Sequence, residues 1–135
     1  MHALRTSSSA SADQAWLLYD ADCGLCKFVV ARVLELDRAR RLRPLALQDP
    51  RTAELLPGMS AEERLKSFHV VDSKGAVRSA GDGLAELIPP LKRFPRAASG
   101  LYWLVADNRD RLGKLLPDAA RRQADRRIRA RTDGQ

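Results

Sequence analysis

The stretch Trp16-Leu17-Leu18-Tyr19-Asp20-Ala21-Asp22-Cys23-Gly24-Leu25-Cys26 decides the fold. Its first four residues form a nearly continuous apolar run, the mark of a buried strand, and the acidic residues after Tyr19 supply the turn that stops it. Beyond Cys23, apolar side chains recur at Leu25, Phe28, Val29, Val33 and Leu36, with Arg32, Glu35 and Arg38 off that face. This spacing predicts a helix over about 24–38. A strand feeding a helix through a short polar turn sets Cys23 at the helix start and Cys26 one turn further in.

Working outward, Leu42 to Leu47 reads as a second strand closed by Gln48-Asp49-Pro50, and Thr52 to Leu56 as a helical stretch ended by Pro57-Gly58. Ser60 and Glu63 make a capping-box pattern ahead of a brief helix over Ala61 to Lys66. Phe68 to Val71 and Ala76 to Ser79 read as a hairpin around Ser73-Lys74-Gly75. Asp82 is expected to cap a helix over Gly83 to Ile88, stopped by Pro89-Pro90. Leu101, Leu104, Val105, Leu112, Leu115 and Leu116 recur at helical intervals up to Pro117, and polarity takes over from Ala119. Strand, helix, strand, helical connection, hairpin, helix is the skeleton of the thioredoxin fold. The expected class is therefore α/β: a thioredoxin-like single domain with a central mixed sheet flanked by helices and an additional C-terminal helical segment. The boundaries read as a disordered leader over 1–13, the domain over 14–117, and a basic helical or disordered tail over 118–135.

At 135 residues the chain has the size of one ordinary domain. Hydrophobic residues at 44% and charged residues at 30% are ordinary globular usage, which excludes wholesale disorder and a membrane class. Neither a signal peptide nor a transmembrane segment is read, and the cytoplasm is the expected location. The two cysteines close too small a loop to staple a fold, so in a reducing compartment the pair is expected to be reactive or metal-binding.

Thiol-disulfide exchange needs an attacking thiolate, a nearby thiol to resolve the mixed disulfide, and access for the partner. At the start of a helix, Cys23 lies by unpaired amides and the positive end of the helix dipole, which favour a thiolate. Lys27 adds to that effect and Asp22 opposes it. Cys26 falls near the line of Val30 and Val33 and is expected to be the more sheltered resolver. Asp20, at the strand end, is a candidate acceptor for the Cys26 proton, with helix capping by Asp20 or Asp22 as the alternative. Zinc needs four ligands, and the chain offers the two cysteines plus His2 in the leader and His69 on a strand. A buried inert pair is disfavoured by the polar turn before Cys23.

Tyr19-Asp20-Ala21-Asp22-Cys23-Gly24-Leu25-Cys26 resembles the Tyr-Asp-Gly-x-Cys-x-x-Cys signature of the DCC family of thiol-disulfide oxidoreductases, the domain of unknown function 393. Leu42 to Gln48 is similar to the family's second strand, Phe68 to Asp72 with Gly75 to its hairpin, and Tyr102-Trp103-Leu104-Val105-Ala106-Asp107-Asn108-Arg109 to its closing helix. The resemblance spans about Trp16 to Leu116. It implies a thioredoxin-like fold and redox chemistry at Asp20, Cys23 and Cys26 but supplies no defined substrate. The expected partner is a protein or small-molecule thiol or disulfide, and the expected chemistry requires no organic cofactor or metal. Two departures stand out. Ala21 replaces a glycine common in the family, which is strained if φ is positive there, and Ser67 stands where thioredoxins place a proline before this strand.

The formal charge of +7 is concentrated late, in Arg121, Arg122, Arg126, Arg127, Arg129 and Arg131. Such a run can attach to an anionic partner by counterion release, but no interleaved aromatics or nucleic-acid fold accompany it, so no specific nucleic acid is predicted. A solvated helix end or disordered tail is the expected state, and His69 is expected to be packed or at the surface rather than catalytic. Two other functions remain open: a binding module using the Arg-rich end, and a Cys-x-x-Cys metal-binding domain.

Overall fold

A computed structural model describes residues 14–133, so the leader over 1–13 and the last two residues of the chain lie outside the described residues. Strand β1 (Ala15–Tyr19) leads through helix α1 (Gly24–Leu36) to strand β2 (Leu42–Ala46). β1 and β2 run parallel, with Leu18 opposite Leu45, which makes α1 the crossover. Pro44 is accommodated because β2 is an edge strand. Short helices α2 (Thr52–Leu55) and α3 (Ala61–Leu65) follow. The Ser60–Glu63 capping box forms, Ser60 Oγ accepting from the Glu63 amide at 3.1 Å.

Strands β3 (His69–Val71) and β4 (Val77–Ser79) make the hairpin, β3 pairing antiparallel with β1. Gly75 takes φ 86° at its turn, where a side chain is strained. The sheet order β2-β1-β3-β4 is mixed and flanked by helices, a thioredoxin-like α/β arrangement in a single domain.

Period-two alternation sorts β1 between two cores. Leu17 and Tyr19 pack with Val30, Leu34, Val70 and Ile128 on one face, while Leu18 packs with Leu45, Leu47, Leu56 and Val71 on the other. The helical face expected to bury α1 is displaced. Val30, Ala31 and Leu34 are the buried residues, whereas Val29 is 41% and Leu36 82% exposed. The cause is a second helix: α7 (Asp118–Asp133) packs along α1 and β2 and buries Ala124, Ile128 and Arg131. The burying stripe therefore rotates toward α7, and Leu25, Val29 and Val33 line a cleft instead.

Helix α4 (Ala80–Leu87) starts directly after β4, with Ala80 at φ 51° turning the chain, so Asp82 sits in its first turn rather than capping it. A 3₁₀ turn (Pro89–Arg93) separates it from α5 (Pro95–Asp107), and α6 (Arg109–Lys114) follows a break at Asn108. The expected single leucine run is thus two helices. Leu101, Leu104 and Leu115 are 48%, 63% and 78% exposed and do not form a core.

Helices α4 and α5 meet at Gly81. A Cβ there would lie 2.5 Å from Ser99 Cα and 2.7 Å from Ser99 N, and backbone cannot yield as a flexible side chain can. Gly81→Ala is expected to destabilise the domain by about 1–3 kcal/mol, the usual cost of overpacking, read as a lower urea midpoint with unchanged slope.

His69 is buried, its Nε2 2.9 Å from the Arg64 carbonyl and its Nδ1 against Ser79 Oγ. Burial holds its pKa below the ordinary histidine value, against the opposing hydrogen bond to Arg64. It is a packed residue of the central strand β3, between Leu18 of β1 and Ser79 of β4.

Candidate functional site

Parallel pairing of β1 and β2 brings their C-terminal ends together, and the site is built there. Tyr19 stands opposite Ala46, and the Leu47 amide donates to the Tyr19 carbonyl at 2.7 Å. Gln48 thereby reaches the turn after β1. Its Oε1 accepts from the Ala21 amide at 3.1 Å, and its Nε2 donates to Asp20 Oδ1 at 2.8 Å and Asp22 Oδ2 at 3.3 Å. One amide side chain so fixes three consecutive residues. Asp20 Oδ1 also accepts from the Asp22 amide at 2.9 Å, closing a local turn.

That turn delivers Cys23 as the N-cap of α1, in extended conformation at φ −101° and ψ 112°. Its Sγ accepts from the Cys26 amide at 3.3 Å. The expectation that Asp20 or Asp22 caps the helix is therefore corrected: the thiol itself occupies the cap, and the carboxylates shape the approach. Ala21 is not among the non-glycine residues with positive φ, which are Arg40 and Ala80, so the missing glycine costs no strain.

Both cysteines are reduced and partly exposed. They are not equivalent. Burial first, then the Cys23 sulfur that accepts its hydrogen bond, the Cys23 charge and the Asp20 carboxylate push the Cys26 thiol up to about 12, with Arg109 pulling the other way. Cys26 thus holds its proton and can lend it to the Cys23 sulfur.

Lys27, expected to favour a thiolate, is instead paired with Asp125 of α7 at 2.9 Å. The cation whose field reaches Cys26 is Arg109, at the start of α6.

Cys26 and Asp20 line a cleft of about 240 Å³, whose other walls are largely apolar and come from β1, α1, α3, the segment just before β3, α4 and α5. Cys23 stays outside the cleft walls. Tyr102 of α5 lines it too, its ring centroid 5.4 Å from that of Phe68. Burial raises the Tyr102 pKa, against hydrogen bonds from the Phe68 backbone and the Ser67 side chain.

A family model for DCC1-like thiol-disulfide oxidoreductases matches residues 17–115, from within β1 through α6. The chain belongs to that family. No curated protein and no solved structure gives a significant match. The DCC1-like match contains Asp20, Cys23, Cys26, Gln48, Tyr102 and Arg109 and stops short of α7.

Gln48, Tyr102 and Arg109 are the site residues that motif reading overlooked. Strand register was the available signal for Gln48, since residues past the ends of parallel neighbours must meet. Arg109 starts α6 beyond the break at Asn108, so its approach to the site had no local mark in the sequence. Among the described residues, no cluster of three or more His, Cys, Asp or Glu is placed to hold a metal ion. No helix among them is long and apolar enough to cross a membrane.

Proposed function

We propose that this DCC1-like domain is a thiol-disulfide oxidoreductase in which Cys23 attacks, Cys26 resolves and Asp20 manages the resolving proton. The observation that carries the reading is the unequal setting of the two sulfurs. Cys23 Sγ caps α1 and receives an amide hydrogen at 3.3 Å, whereas Cys26 is held protonated with its pKa at about 12. Amide donors at a helix N-terminus favour a thiolate, the species that attacks.

In the reductive direction the Cys23 thiolate attacks one sulfur of a substrate disulfide, forming a mixed disulfide and expelling the other sulfur as a thiolate. Cys26 then passes its proton to Asp20 and attacks Cys23 Sγ. The Cys23–Cys26 disulfide forms, the second substrate sulfur leaves, and it takes the proton back from Asp20. Two electrons move from the dithiol to the substrate, and oxidation of a dithiol substrate follows the same path in reverse. The chemistry suits a protein or small-molecule thiol or disulfide partner in a compartment such as the cytoplasm, and it asks for no organic cofactor or metal.

Equilibration of the protein in graded glutathione buffers tests the reading. Alkylation of remaining thiols followed by mass measurement is expected to show one two-electron transition from dithiol to intramolecular disulfide. Accumulation of glutathione adducts with no Cys23–Cys26 bond at any ratio would overturn it.

A further inference from the structure

The cleft has a chemistry of its own. At about 240 Å³ it exceeds the ~150 Å³ void that accommodates a benzene. Its polar groups gather together: the charge of Arg109 acts on both Cys26 and Tyr102, and that of Asp20 acts on Cys26. Val33, Leu84, Leu87, Leu101 and Val105 add an apolar lining between α1, α4 and α5. A space with a polar group of residues and apolar walls matches an amphiphile.

The sign of the head group follows from the charges. Arg109 is exposed, lines the cleft and joins none of the ion pairs among the described residues. Asp20, the opposing charge, already accepts hydrogen bonds from Gln48 and the Asp22 amide. Cys26 is neutral at pH 7 and does not repel an anion.

We infer that the cleft binds a medium-chain aliphatic carboxylate, its chain between α1, α4 and α5 and its carboxylate on Arg109. Because the cleft reaches Cys26 and not Cys23, the bound chain covers the resolving thiol and leaves the helix-capping sulfur free. The site is independent of the redox reading, and failure of the glutathione titration leaves it standing.

Calorimetric titration of the reduced full chain with decanoate, decanol and decyltrimethylammonium, all below their micellar concentrations, tests the inference. Decanoate is expected to bind about fivefold more tightly than decanol, the size of one exposed ion pair, and the ammonium more weakly still. Arg109→Gln is expected to erase the preference for the acid. In Cys23→Ser, saturating decanoate is expected to slow alkylation of Cys26 by a maleimide at pH 9. Absence of decanoate binding, equal affinity for acid and alcohol, a preference that survives Arg109→Gln, or unprotected Cys26 would each overturn it. Both substitutions lie at exposed or capping positions, where the fold tolerates them.

Discussion

Cys26→Ser is expected to accumulate a mixed disulfide with its substrate, and Cys23→Ser is expected to accumulate none. With Cys26 at about 12, its thiolate fraction at pH 7 is about one in 10⁵, too small to compete for a substrate disulfide. Once Cys23 is joined to substrate, the situation changes. The bonded sulfur carries no charge and accepts the Cys26 proton less well, so two of the influences that raise the Cys26 pKa fall away and burial and Asp20 remain. The resolver is thus released by the step that requires it.

Two measurements follow. Non-reducing electrophoresis with a model disulfide reads the trapped adduct directly, and equal trapping by the two variants would remove the assignment of roles. The resolving step, followed by release of the second thiol, is expected to vary little between pH 7 and 9, because the Cys26 proton moves to Asp20 rather than to solvent. In Asp20→Asn it is expected to become slower and to approach a tenfold rise per pH unit as the thiolate fraction grows. Arg109→Gln removes the charge that favours the Cys26 thiolate and is expected to slow the same step without altering formation of the adduct.

The cysteine pair and the sheet around it were legible because local signals agreed with one another. A buried strand, a polar turn and a helix start have distinct sequence marks, and β1, α1 and the β3–β4 hairpin lie within a residue or two of where those marks put them. The face of α1 was not legible, because periodicity reports an apolar stripe but not which neighbour covers it. Leu25, Val29 and Val33 satisfy the helical spacing, yet they border the cleft. Val30, Ala31 and Leu34 are buried because α7 arrives from the far end of the chain.

Arg131 was hidden for a related reason. In sequence it is one arginine of a charged run, and only the tertiary structure shows that this side chain alone of the run is buried. Gln48 acts through register, a relation between strands that no single segment displays. In each of these cases the missing information is a long-range contact, whereas the motif itself is local.

The largest expected loss of stability belongs to that arginine. Arg131 Nη1 donates to Asp37 Oδ2 at 2.7 Å and to the Leu42 carbonyl at 3.0 Å, while Nη2 donates to the Leu34 carbonyl at 3.1 Å. Leu34 and Asp37 lie at the C-terminal end of α1, where the Leu34 carbonyl also accepts from the Asp37 amide and the Asp37 carbonyl from the Arg40 amide. One guanidinium therefore joins α7 to the end of α1 and the start of β2. Ile128, one turn earlier, completes the core around Leu17 and Tyr19.

Arg131→Met keeps the apolar stem but leaves Asp37, with a side chain only 10% exposed, without its cation. The expected cost is about 3 kcal/mol or more, read from urea denaturation. A solvated helix end predicts a change within about 0.5 kcal/mol for the same substitution. Adding Asp37→Asn to Arg131→Met is expected to recover part of the loss, because the stranded charge is then gone.

The pH dependence carries the same signature. Burial opposes ionisation of Asp37, but hydrogen bonds from the Leu42 amide, Arg131 and the Arg41 amide outweigh it and hold the carboxyl below the usual range. A carboxyl lowered on folding stabilises the native state fully above its unfolded pKa of about 3.9 and loses that contribution as pH falls through the folded value. Wild type is therefore expected to lose stability below about pH 4, after an earlier decline below about pH 6.5 from His69, whose pKa burial also depresses. In Arg131→Met the later fall is expected to shrink while the His69 decline persists. An unchanged acid limb in that variant would detach Arg131 from Asp37 and return α7 to the status of a charged appendage.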